Sequence, residues 1–229
     1  MTKPSVRGSR RFRAVQQLLS YQPQEEILGK AMAYAAITDV GGDYLEFGVY
    51  GGSSFATAYH FAQLHDLAKM RFYAFDSFEG MPAPRGLDSE GYQHTRGTFD
   101  CDVDTFRKFI SGNGVDTARV EVVAGWYDDV LNDDLRQRLP IESAAIVSAD
   151  CGLYESTSSV LNFVVDYVVD GTVLIFGDWH SFRSDPQRGQ QRAFSEWLAA
   201  QTSITATEFH TFGWHGTSFI LHRSDTLAS

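Results

Sequence analysis

Glu46 and Asp76 each stand where an apolar run stops, in "YLEFGVYGGSS" and "RFYAFDS". A glycine-rich turn follows Glu46. Glycines behind a first strand let the backbone come close to a ligand. A dinucleotide fold uses the spacing G-x-G-x-x-G there, and G-V-Y-G-G-S matches it poorly. Glu46 also precedes the glycines, where its charge would repel a phosphate. An ammonium group fits better, held directly or through water. Asp76, at the next strand tip, is placed to accept both hydroxyls of a ribose. An amine-bearing nucleoside without phosphate meets both conditions, and S-adenosylmethionine is such a molecule. The competing reading of Glu46 is a strand-end acid that caps the helix after it.

Bulk properties narrow the field. The chain has 229 residues, enough for one substantial core. Hydrophobic residues make up 43% and charged residues 21%, the balance of a globular protein. The net charge of −10 repels phosphate backbones, so nucleic acid is not an expected partner. No apolar run is long enough to span a bilayer. The basic start, "MTKPSVRGSRRFR", lacks the apolar segment of a secretory signal. Cys101 and Cys151 form neither a disulfide framework nor metal-ligand spacing. A cytoplasmic location is the simplest expectation.

The elements that must position these acids read as alternating strands and helices. Apolar residues at helical intervals give one short helix before Pro23 and one from about Glu25 to Ile37. Strands follow at 44–48, 71–77, 119–126, 143–150 and 172–179. Helical patterns fill the intervals, among them 53–69, 103–114, 155–171 and 188–201. The stretch from Phe78 to Asp102 is too polar and irregular for core and is expected to fold over the ligand. The last two runs, 204–212 and 216–223, read as a hairpin turning around Trp214 and Gly216. The expected fold is α/β: a Rossmann-like, mostly parallel sheet with an antiparallel C-terminal hairpin and helices on both faces. Residues 1–40 form a tail and N-terminal helical cap, and 41–229 the ligand-binding domain. Ligands in such sheets lie outside the carboxyl ends of the strands. Glu46, Asp76, Trp126, Asp150 and Asp178 all fall at or just past those ends.

Taken together, "YLEFGVYGGSS", "YAFDSFEGMP", "VVAGWYDDVL", "SADCGLYEST" and "LIFGDWHSF" resemble the macrocin O-methyltransferase family over about Glu25 to Trp197. These are bacterial class I S-adenosylmethionine-dependent methyltransferases that act on sugars of macrolides and other natural products. The resemblance implies that Glu46, Gly48 and Ser53 surround the methionine part of the cofactor, with Phe47 beside them. It implies Asp76 on the ribose, followed by Ser77, and Trp126 near the adenine. Asp150 is counted in the same site and also, with Asp178 and His180, among the catalytic candidates. The resemblance also implies Mg²⁺, bound by an acid at the fourth strand tip and an Asp-Asp pair at the fifth.

The departures fall on that metal. Asp150 is present, but a nearby family acid is replaced by Gly152, and the pair reads Gly177-Asp178. Mg²⁺ prefers near-octahedral hard oxygen ligands, so its requirement is left open and its ligands unassigned. A sugar hydroxyl still needs a group to take its proton. His180 has the intrinsic pKa of a base, and Asp178 could orient it or act as base itself. Tyr21, Tyr154, Trp179 and Trp214 are the candidate acceptor walls. They suit a flat acceptor, so metal-independent C- or N-methylation of an aromatic ring stands beside O-methylation. A non-catalytic cofactor-binding partner is the alternative of another class. The apolar N-terminal helices offer a homodimer surface.

Overall fold

The structure, a computed structural model, describes residues 23–90 and 95–224. The predicted helix before Pro23, and Tyr21 with it, lie outside the described residues. Helix α1 spans Pro23–Ile37. Strand β1 (Asp43–Phe47) leads into helix α2 (Ser53–Leu64), and β2 (Phe72–Asp76) follows. Helix α3 (Val103–Gly112) precedes β3 (Val120–Ala124). Two short helices, α4 (Tyr127–Val130) and α5 (Asp133–Arg138), fill the way to β4 (Ala144–Ala149). Helix α6 (Tyr154–Val164), strand β5 (Val168–Phe176) and helix α7 (Gly189–Ala200) come next. Strands β6 (Ile204–Phe212) and β7 (Gly216–Arg223) close the chain as the expected hairpin.

The strands form a single sheet in the order β3-β2-β1-β4-β5-β7-β6. Strands β1 to β5 run parallel, and β7 is antiparallel to both β5 and β6. The strand order reverses between β1 and β4. That switch point opens a crevice at the carboxyl ends, where ligands of such sheets bind.

Side chains alternate across a strand, and β1 shows what that decides. Leu45 and Phe47 face one core layer, which also holds Leu135, Leu161 and Phe194 from α5, α6 and α7. Tyr44 faces the other, with Ile27, Phe55 and Phe106 from α1, α2 and α3. Helix α1 therefore belongs to a full helical layer, burying Ile27, Leu28, Ala31 and Met32. Lys30 ties it to the far edge of the sheet through His210 Nε2, 2.8 Å away.

One boundary differs from the sequence reading. The helix expected over 155–171 stops at Val164, and β5 begins at Val168. Val168 pairs with Ala144, and β-branched residues favour a pleated surface over a helix. Gly171 sits there at φ +92°, with Val40 crowding the place of a side chain. A glycine expected to close a helix is a bend within a strand.

Candidate functional site

A cavity of about 680 Å³ opens at the carboxyl ends of the parallel strands. Gly48 and Tyr50 of the β1–α2 turn line it, as do Asp76 and Ser77 after β2, and Trp126 and Tyr127 after β3. Asp150 and Cys151 after β4 and Asp178 after β5 form another part of the wall. Met81, Pro82, Arg85, Arg96 and Phe99 come from the long loop, as its expected place over the ligand requires. Tyr50 meets Phe99 edge-on, with ring centroids 5.6 Å apart. That contact joins the glycine turn to the loop.

Asp76 is the best-anchored acid of the wall. Its Oδ2 accepts from the backbone N–H of Val49 at 2.9 Å and of Tyr50 at 3.1 Å. Its Oδ1 accepts from Phe78 N–H at 2.8 Å. A carboxylate has about four lone-pair sites, so Oδ1 keeps one for a ligand hydroxyl. Gly48 makes this approach of turn and sheet possible. It sits at φ +88°, and a side chain there would collide with the Asp150 carbonyl.

Glu46 is placed differently. It is buried and outside the residues that line the cavity. Tyr44 donates to Oε2 at 2.6 Å and Ser54 to Oε1 at 2.5 Å. Ser54 lies in the first turn of α2, so the arrangement follows the helix-anchoring alternative. Strand alternation explains it, because Glu46 shares the face of Tyr44. Burial pushes its carboxyl up to about 8, against the pull of the two hydroxyl donors. Phe47 is core, stacked on Phe75 with centroids 4.4 Å apart. Ser53 is exposed at the start of α2 and does not line the cavity.

Asp150 and Asp178 come together. Burial raises both carboxyls, that of Asp178 to about 7, and the charge of Asp150 adds to the effect on Asp178. Asp150 Oδ2 accepts from Gln24 Nε2 at 2.6 Å. A side-chain carbon on Gly177 would collide with Asp150 Oδ1. Asp178 Oδ1 accepts from Ser181 Oγ at 3.2 Å, and its backbone N–H donates to Gln190 Oε1 at 2.8 Å. His215, which sequence reading left unassigned, donates from Nδ1 to the Gly177 carbonyl at 2.6 Å.

The remaining candidates lie elsewhere. His180 Nδ1 is 2.9 Å from Ser184 Oγ. With Arg183 and Trp214, His180 lines a second depression. Trp214 is 67% exposed there. The two hollows share a wall, since Ser181 of the second holds Asp178 of the first. Trp179, half-buried, packs against the core among Phe176, Phe194 and Phe219. Tyr154 points away from the cavity lining: its hydroxyl donates to Glu196 Oε2 at 2.6 Å, and the Arg192 guanidinium lies 4.1 Å over its ring.

Sequence reasoning missed Gln24 and Asp88. The partner of Gln24 is 126 residues away, beyond any local pattern. Asp88, buried in the long loop, accepts from Tyr154 N–H at 2.7 Å and Gly189 N–H at 3.1 Å. It thus meets the first residues of both α6 and α7, where helix N–H groups lack internal partners. Asp88→Ala leaves one buried and one half-buried donor unpaired. We expect a loss of about 1–3 kcal/mol in stability, read by urea unfolding, with faster proteolytic nicking of the loop. Unchanged stability and cleavage would show that Asp88 does not pin the loop.

The residues fit S-adenosylmethionine in two respects: a carboxylate with a spare lone pair at the β2 tip, and the flat indole of Trp126 in the same wall. They do not fit Mg²⁺. Among the described residues, no three His, Cys, Asp or Glu side chains are grouped to hold a metal ion. An amide donor occupies Asp150, and glycine stands where a second acid is needed.

Comparison with known proteins bears on the whole arrangement. A model of the macrocin O-methyltransferase family matches residues 22–209. The 8-demethyl-8-(2,3-dimethoxy-alpha-L-rhamnosyl)-tetracenomycin-C 4'-O-methyltransferase of Streptomyces olivaceus is 29% identical over 147 residues, covering 61% of this chain and 54% of that protein. Demethyldecarbamoylnovobiocin O-methyltransferase of Streptomyces niveus is 27% identical over 150 residues, covering 62% and 54%. The chain thus spans about half the length of the curated relatives it matches. Among solved structures, the O-methyltransferase NovP superposes with a TM-score of 0.71 at 20% identity, over 89% of this chain and 80% of that one. The calicheamicin methyltransferase CalS11 gives 0.71 at 20%, over 95% and 87%. Both share the fold described above. With its family motifs in order along this sheet, the chain belongs to the macrocin O-methyltransferase family.

Proposed function

We propose that the protein transfers a methyl group from S-adenosylmethionine to a hydroxyl of a small natural-product acceptor. The observation that carries this reading is Asp76, fixed by three backbone N–H groups in the wall of a cavity at the sheet's switch point. Family membership supports it. The named activities of the tetracenomycin and novobiocin relatives, both O-methyltransferases, favour oxygen over carbon or nitrogen.

When bound, S-adenosylmethionine supplies a methyl carbon already activated by its sulfonium. The chain's own residues then have three tasks. Asp76 would accept from a ribose hydroxyl with the lone pair left on Oδ1, and Trp126 would offer its ring to the adenine, with Gly48 and Ser77 completing that wall. Asp178, held by Ser181 and Gln190, would take the proton released when the acceptor's hydroxyl oxygen receives the methyl group. Burial, with the charge of Asp150 adding to it, keeps Asp178 protonatable near neutrality. His180 and Trp214, across the shared wall, suit the far end of the acceptor rather than the reacting hydroxyl. Because the donor set does not fit Mg²⁺, no step is assigned to it.

A panel of sugar and phenol acceptors tests the reading, with S-adenosylhomocysteine release as the signal. We expect release only with an acceptor present. Its rate should rise with pH through about 7, as the raised carboxyl of Asp178 ionises. Asp178→Asn should reduce turnover by about 100-fold or more. Full turnover in that variant would remove Asp178 as the base.

A further inference from the structure

Protein donors arrange the acids of the cavity wall. Asp150 turns Oδ1 onto the bare Cα of Gly177, and Oδ2 receives the Gln24 carboxamide at 2.6 Å. Asp178 is oriented by the Ser181 hydroxyl and by its own N–H bond to Gln190. The Gly177 carbonyl, a further hard oxygen at this spot, is taken by His215 Nδ1–H at 2.6 Å. Mg²⁺ requires oxygen ligands with lone pairs directed at the ion. Here an N–H takes one lone pair of that carbonyl oxygen, and a side chain at Gly177, the place for a neighbouring acid, would collide with Asp150 Oδ1.

We propose that this chain works without a divalent metal, and that the Gln24 carboxamide has replaced the cation as the group that orients Asp150. Gln24 is a positioning residue: from the cavity wall it acts through its hydrogen bond to Asp150. Its location at the start of α1 gives that helix a second task. The same helix that completes a core layer delivers one polar side chain to the site. The inference rests on the methyl-transfer reading for what the acid pair faces, but not for its geometry.

Manganous ion, a spectroscopic stand-in for Mg²⁺, tests this on the full chain with S-adenosylhomocysteine present. The free-ion electron paramagnetic resonance signal is the readout, independent of any acceptor. In the wild type we expect that signal to stay undiminished by the protein. Gln24→Glu has nearly the same shape but replaces the donor with an acceptor, so three carboxylates converge. It should bind the ion one-to-one, at least about tenfold more tightly than the wild type. One-to-one uptake by the wild type, lost in Asp150→Asn, would overturn the proposal. So would a Gln24→Glu protein that is folded by circular dichroism yet takes up no ion, since Gln24 would then not occupy the cation's place. The wild-type result stands whether or not the variant folds. Absence of S-adenosylhomocysteine binding in the wild type would sink the methyl-transfer reading, leaving the metal titration readable by itself.

Discussion

Asp76→Ala is expected to weaken S-adenosylhomocysteine binding by about 100-fold, or roughly 2.7 kcal/mol. Hydrogen bonds to a charged group contribute about 1.5–3 kcal/mol each. The variant removes the acceptor for the ligand's hydroxyls and also frees three backbone N–H groups. Two of those belong to Val49 and Tyr50, in the turn that forms the near wall of the cavity. Loss of Asp76 therefore acts twice, on the ligand and on the loop that receives it. Asp76→Asn separates the two effects. It keeps an oxygen for the turn but loses the charge, so a loss of about tenfold is expected. Isothermal titration of each folded variant measures both. Equal affinity in wild type and Asp76→Ala would remove Asp76 from the ligand site.

Stability should fall as pH rises from about 5 to about 8. The folded carboxyl of Glu46 is raised to about 8 from its usual 4.5. Between those values the folded protein holds a proton that the unfolded chain releases. Raising the pH therefore favours unfolding, and the stabilisation present below the unfolded pKa is lost as pH passes through the folded one. The slope reaches at most about 1.4 kcal/mol per pH unit for one such group. Asp178, raised in the same direction, adds to it between about 4 and about 7. Glu46→Gln removes the Glu46 part while keeping groups that pair with Tyr44 and Ser54. Its urea midpoint should vary less with pH, and at about pH 8 it should exceed the wild type by about 1–3 kcal/mol. A wild-type protein that gains stability across this window would contradict the burial of an acid at this point.

Much of the fold could be read from apolar runs and their spacing, because β1, β2 and β4 are short buried runs and each parallel strand is ended or followed by an acid or glycine. Asp76, Trp126, Asp150 and Asp178 were legible for the same reason: strand tips converge at the switch point whatever the details. What periodicity does not reveal is the face. Glu46 is as much a strand-tip acid as Asp76, yet alternation turns it toward α2 and Ser54, away from the cavity. His180 lies two residues beyond Asp178, and that short step carries it into the neighbouring depression. Trp179 is drawn into the aromatic cluster around Phe194 and Phe219. The long-range contacts were illegible in principle. Gln24 finds Asp150, and Asp88 finds the starts of α6 and α7, only after the sheet has brought them together. The β5 boundary failed for a local reason: Val168 and its neighbours fit a helical period, and only pairing with β4 decides for the strand.

The most direct measurement of the central claim is a crystal structure of the chain with S-adenosylhomocysteine. We expect a ribose hydroxyl on the Asp76 carboxylate, the adenine against Trp126, and the sulfur directed toward Asp150 and Asp178. Electron density for the nucleoside away from Asp76, or none in this cavity at saturating ligand, would contradict it.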